Sequence, residues 1–191
     1  MRHVLNLPNL LTLVRFPLAP WVAVSILRGS YRQALVLLAV AGITDGLDGY
    51  AARRLGAASR LGAWLDPVAD KALLVTVYIS LGVAGLIPSW LVWMVVGRDV
   101  LILSFAGVTL LARKTSRFEP SVWGKLSTLV QIVTGVAVIA ARVVPSAVLT
   151  WWSEVLPVVA AITTGWSGVH YAWLALPGQN PASRRDHVPS D

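Results

Sequence analysis

Four aspartates in an otherwise apolar stretch carry the chemistry of this sequence: Asp45, Asp48, Asp66 and Asp70, with Lys71 beside the last. Asp45 and Asp48 are three residues apart and Asp66 and Asp70 four, so on helices each pair projects from one face. A short loop between the two segments makes them antiparallel neighbours, and their acidic faces can meet at one depth. Four carboxylates converging in a low dielectric repel one another and take up protons. A cation keeps them ionised. An all-oxygen donor set suits hard divalent ions, Mg²⁺ or Mn²⁺, rather than zinc. Four carboxylates suffice for two bridged metals, and such a pair suits an in-line displacement at phosphorus. Gly46 and Gly49 flank Asp48, and Gly62 precedes Asp66 by one turn. Glycine inside a helix costs up to ~1 kcal/mol, so it suggests close approach of a ligand or another backbone. For Gly46, small-residue helix packing stays open as an explanation. Gly49 and Gly62, beside the carboxylates, favour the ligand.

The elements that position these acids must be membrane helices. The chain has 191 residues, 56% hydrophobic and 13% charged, against about 25% charged for an ordinary soluble domain. Its mean hydropathy is +0.69. An intrinsically disordered chain is excluded, and a soluble globular enzyme is disfavoured. There is no cysteine, which removes disulfide scaffolds, thiolate zinc sites and cysteine nucleophiles. A span needs roughly 20 mostly apolar residues. Six segments qualify: 10–27, 33–52, 62–86, 88–112, 123–143 and 147–175. Turn or charge signals separate them, among them Arg28-Gly29-Ser30, Arg53-Arg54-Leu55-Gly56, Pro88 and Pro145-Ser146. The expected fold is an all-α integral membrane protein: one domain over 1–191, six transmembrane helices, and a polar tail over 176–191. The first nine residues, MRHVLNLPN, lack the apolar core of a signal peptide and are expected to form a short interfacial segment.

The net charge of +7 reads as membrane-end basicity, with no nucleic-acid partner. With a cytoplasmic N-terminus, that side collects Arg2, Arg53, Arg54, Arg60, Arg113, Lys114, Arg117, Arg184 and Arg185. Arg28, Arg32 and Arg142 stay opposite. The balance favours N-in, C-in, with the acids at the cytoplasmic side of the cell membrane. Trp90, Trp93, Trp151 and Trp152 then mark the outer interface, and Trp64 and Trp123 the inner one.

Asp45-x2-Asp48-Gly49-x2-Ala52-Arg53-x8-Gly62-x3-Asp66-x3-Asp70 resembles the signature of the CDP-alcohol phosphotransferase family, D-x2-D-G-x2-A-R-x8-G-x3-D-x3-D, at all eight fixed positions. Members of that family move a phosphatidyl or related group from a CDP-linked donor to an alcohol and release CMP. The resemblance implies that Asp45 and Asp66 bridge two metal ions, Asp48 completes one site and Asp70 the other, with Asp70 also the catalytic base. It implies that Gly49, Arg53 and Ser59 contact the nucleotide phosphates beside Gly62. It further implies that Asn9, Thr12 and Arg15 form the cytidine-side contact, although Asn9 also fits a plain helix N-cap. A homodimer is implied as well. The physics agrees: two cations neutralise a pyrophosphate, and Arg53 supplies a fixed fork for its oxygens.

Arg98 and Asp99 fall mid-span, Lys125 opens the fifth segment and Lys71 follows Asp70. Arg98, Lys125 and Lys71 form a candidate pocket for an acceptor carrying phosphate, with Asp99 orienting or partly neutralising Arg98. The alternative is a structural Arg98–Asp99 arrangement with Lys125 snorkelling to the interface. The stretches 7–15, 61–71 and 123–128 resemble the phosphatidylglycerophosphate synthase branch of the family, which joins CDP-diacylglycerol to glycerol 3-phosphate. Arg98-Asp99 departs from the usual Arg-Glu of that branch. The cardiolipin synthase branch, which uses phosphatidylglycerol, and the inositol-phosphate-using members share the core. Outside the family, an ion-coupled transporter also explains intramembrane acids but calls for broken helices in corresponding halves. A purely structural membrane protein leaves the four acids without a purpose.

Overall fold

Two glycines set the ends of the first and third helices. In the computed structural model, Gly29 and Gly85 adopt φ of 73° and 69°, backbone that only glycine enters at little cost. At the first, the amide of Ser30 donates to the Ser25 carbonyl (2.8 Å) and that of Gly29 to Ile26 (3.0 Å). At the second, Leu86 donates to Leu81 (2.9 Å) and Gly85 to Gly82 (3.1 Å). Both are Schellman endings, which satisfy the last helical carbonyls and turn the chain back.

The structure describes residues 7–55, 62–111 and 122–175, with side chains over 17–46, 70–104, 122–171 and at 173. These residues form six α-helices and no strand: α1 (Leu7–Leu27), α2 (Tyr31–Leu55), α3 (Gly62–Val83), α4 (Ser89–Leu111), α5 (Val122–Ala140) and α6 (Ala147–Ala175). The all-helical expectation holds, and the sixth element matches its expected limits. Several limits need correction. Helix α2 runs from Tyr31 to Leu55 rather than over 33–52, and so continues through Arg53-Arg54-Leu55, where the sequence suggests a turn. Helix α1 starts at Leu7 rather than at residue 10, so Leu7, Pro8 and Asn9 are helical; Pro8 sits in the first turn, where its missing N–H costs nothing. Asn9 is thus inside the helix and not its N-cap. Helix α3 stops at Val83, not Leu86, because of the Gly85 turn. Helix α5 stops at Ala140, where Arg142 and Val143 take up tighter turn bonds to Ile139 and Ala140. The tail over 176–191 lies outside the described residues.

Helix α1 packs on α2 and α3, α5 packs on α6, and α3 reaches α4 and α5. The core between them is Val22, Ile26, Tyr78, Leu81, Leu91, Val95, Ile139 and Ala160. The turns after α1, α3 and α5 face one end of the bundle. The end of α2 and the starts of α3 and α5 therefore share the other.

The surface is inverted relative to a water-soluble bundle. Arg98, Asp99, Ser127, Gln131, Thr134, Thr164 and Ser167 are buried, whereas Trp93 is 75% exposed, Leu101 68% and Ile162 66%. Polar groups inside and large apolar groups outside are what lipid as a solvent favours. Among the described residues two helices, Val122–Ala140 and Ala147–Tyr171, are long and apolar enough to cross a membrane. They are joined across their interface by hydrogen bonds: Gln131 Nε2 donates to Thr164 Oγ1 at 2.8 Å, and the Ser127 and Thr164 hydroxyls pair at 3.3 Å.

Candidate active site

Asp45 lies on α2, three turns from its C-terminal end. Asp70 and Lys71 lie two turns into α3. The antiparallel arrangement brings all three to the wall of one cavity of about 210 Å³. Thr128 and Gln131 of α5 complete its polar lining, and Leu38, Leu73, Leu74, Val77, Ile132 and Val136 supply the apolar remainder. Two of the four sequence-selected carboxylates, one from each helix, thus line the same cavity. Asp48 and Asp66 belong to the same two helices, but their side chains lie outside the described residues, as do those of Asn9, Thr12, Arg15 and Arg53. Gly49 and Gly62 are helical, on α2 and α3, and nothing more is described at them. Ser59 falls wholly outside the described residues. With Asp45 and Asp70 alone described, no group of three metal-ligating side chains occurs among the described residues.

Gly46 resolves one open question. A Cβ built there meets nothing within 4 Å, so tight small-residue packing is not what this glycine provides among the described residues.

Behind the cavity lies a buried ionic cluster. Lys71 Nζ donates to both oxygens of Asp99, at 2.8 and 2.9 Å, and reaches Thr128 Oγ1 at 3.4 Å. Arg98 Nη1 donates to Asp99 Oδ1 at 2.6 Å. Its Nη2 donates to Ser167 Oγ at 2.9 Å and to the Gly124 carbonyl at 3.3 Å, and the guanidinium carbon stands 5.9 Å from the Tyr171 ring centre. Asp99 therefore does orient and partly neutralise Arg98, as its place in the sequence suggested, and it holds Lys71 as well. Lys71 and Arg98 share the one Asp99 carboxylate, while Asp45 and Asp70 line the cavity itself.

The three proposed acceptor cations do not form one array. Lys71 lines the cavity; Arg98 is buried behind it through Asp99; Lys125 is exposed on α5 and is not part of the cavity wall. Gln131, Ser167 and Tyr171 are not singled out by the sequence, and Thr128 is marked only as the end of the 123–128 stretch. Gln131 had a signal, a carboxamide in the apolar run Leu129-Val130-Gln131-Ile132-Val133. Ser167 and Tyr171 had none, because their role depends on which helices meet.

A family model for CDP-alcohol phosphatidyltransferase matches residues 5–166, and the chain belongs to that family. It is 37% identical over 148 residues to a probable cardiolipin synthase (CMP-forming) of Drosophila melanogaster, covering 69% of this chain and 46% of that protein. It is 36% identical over 128 residues to the CDP-diacylglycerol–glycerol-3-phosphate 3-phosphatidyltransferase of Aquifex aeolicus, covering 65% and 70%. It is 32% identical over 172 residues to a putative cardiolipin synthase of Mycobacterium tuberculosis, covering 90% and 79%. The chain spans about half the length of the animal relatives it matches.

Proposed function

We propose that this protein transfers a phosphatidyl group from CDP-diacylglycerol to glycerol 3-phosphate, giving phosphatidylglycerophosphate and CMP. The carrying observation is the convergence of Asp45 and Asp70, from two helices that bear the complete family signature, on one cavity with Lys71. The acceptor hydroxyl oxygen forms the new bond to the diacylglycerol-bearing phosphorus, and the bond from that phosphorus to CMP breaks. Asp70 takes the hydroxyl proton. Gly49, Arg53 and Ser59 hold the nucleotide phosphates beside Gly62, with Asn9, Thr12 and Arg15 on the cytidine side. Lys71 at the cavity wall, with Arg98 behind it, attracts the acceptor phosphate. The apolar wall keeps water from competing with the acceptor.

The donor set fits two Mg²⁺ or Mn²⁺ ions, since the converging carboxylates are hard oxygen ligands. Asp45, Asp48, Asp66 and Asp70 would hold them, and their chemistry there is charge neutralisation on the pyrophosphate and the departing CMP. The same reading places the chain in the cell membrane through six spans, as a homodimer, with both termini and the active site on the cytoplasmic side. The inverted surface supports the membrane placement, and the sequence's basic-residue asymmetry supports the orientation.

Phosphatidylglycerol is the second acceptor reading, favoured by the relatives named cardiolipin synthase. Purified protein with CDP-diacylglycerol, screened against glycerol 3-phosphate, phosphatidylglycerol, inositol and inositol phosphate, separates these. CMP release led by glycerol 3-phosphate is the expected result. Release with inositol phosphate alone, or with no acceptor, overturns the proposal.

A further inference from the structure

Lys71 stands where a cation competes with the carboxylate site. It follows Asp70 directly on α3, and it lines the same cavity as Asp45 and Asp70. Its charge rides on a flexible four-carbon stem. Against an apolar wall such an ammonium seeks the nearest anion. An ammonium seated on Asp45 or Asp70 takes up the negative charge that a divalent ion needs. The structure holds it elsewhere. Nζ donates to both oxygens of Asp99 on α4, at 2.8 and 2.9 Å, and reaches Thr128 Oγ1 on α5 at 3.4 Å. An ammonium has three donors, and these contacts engage all three.

Asp99 is a firm anchor. It is 2% exposed, and its Oδ1 also accepts from Arg98 Nη1 at 2.6 Å. Arg98 is fixed in turn by Ser167 Oγ at 2.9 Å and the Gly124 carbonyl at 3.3 Å. The anchor is thus built on α4, α5 and α6, none of which carries Asp45 or Asp70. Arg98 alone balances the Asp99 charge, so burying that carboxylate does not require a second cation. We propose that Asp99 is a positioning residue that draws the Lys71 ammonium off Asp45 and Asp70 and so keeps this lysine from competing with divalent ions there. This rests on the proposed metal-binding role of those carboxylates and names the residue that protects it.

The test reads metal binding itself, by the electron paramagnetic resonance signal of free Mn²⁺ titrated with the chelator-stripped, detergent-solubilised full chain in the absence of substrate. Two double variants keep the wild-type net charge: Lys71→Met with Asp99→Asn, and Arg98→Gln with Asp99→Asn. The first removes the lysine together with its anchor, and its Mn²⁺ affinity should stay within about threefold of wild type. The second keeps the lysine and removes its anchor. Its affinity should fall by roughly tenfold or more, because the ion binds only the fraction in which the ammonium is off the carboxylates. Asp99→Asn alone should show at least the same loss, and serves if the Arg98→Gln pair does not assemble. Equal Mn²⁺ affinity in the variants with and without Lys71, whether at the wild-type level or weakened alike, overturns the positioning role while leaving the metal site standing. A wild-type protein that binds no Mn²⁺ overturns the metal reading and this role together.

Discussion

Lys71 and Asp99, 28 residues apart in the sequence, form a two-point ion pair at 2.8 and 2.9 Å, and the same carboxylate takes Arg98 at 2.6 Å. This ties α3 to α4 directly beneath the cavity floor. Removing one partner of a buried pair costs about 3–5 kcal/mol, because the remaining charges stay buried without compensation. Asp99→Asn, which strands two cations, should lower the thermal midpoint of the detergent-solubilised protein sharply. Adding Lys71→Met to it should cost less than the sum of the two single changes. Strict additivity would show that the pair carries no coupling.

Gly124 is a spacing residue for the same cluster. A Cβ there would stand 2.8 Å from the Tyr171 hydroxyl and 3.3 Å from Arg98 Nη2. Gly124→Ala should therefore destabilise by about 1–3 kcal/mol through overpacking. Tyr171→Phe removes the nearest atom, so in that background the alanine should be better tolerated. A chemical or thermal unfolding series on the four proteins checks this.

Asp70→Asn should lower CMP release by at least about 10²–10⁴-fold, the usual worth of a positioned base, in a protein that still elutes as an assembled species. Asp45→Asn should fail as severely without losing the fold, since the residue is exposed on the cavity wall. Substantial turnover in the Asp70 variant would defeat its assignment as the base.

The division between what the sequence disclosed and what it hid has physical causes. Asp45 and Asp70, which line the cavity, were legible because a charged residue in an apolar run is costly. The chain reversals at Gly29 and Gly85 were less so. Gly29 coincided with an evident turn, whereas the Gly85 ending was masked by the apolar Leu86-Ile87 that follow, and α3 was read three residues too long. Asp99 was readable as a partner for its neighbour Arg98. Its bond to Lys71 was not, since a contact between helices depends on their packing rotation, which no local pattern encodes. Lys125 was placed with Arg98 by charge alone; one position away, Gly124 makes the contact through its carbonyl, and Lys125 points out.

The dependence on divalent ions tests the central idea most directly. Purified protein stripped with a chelator should release no CMP from CDP-diacylglycerol and glycerol 3-phosphate, and Mg²⁺ or Mn²⁺ should restore release. The Asp45→Asn protein should not recover. Full CMP release from the stripped wild-type protein would contradict the assignment of these carboxylates.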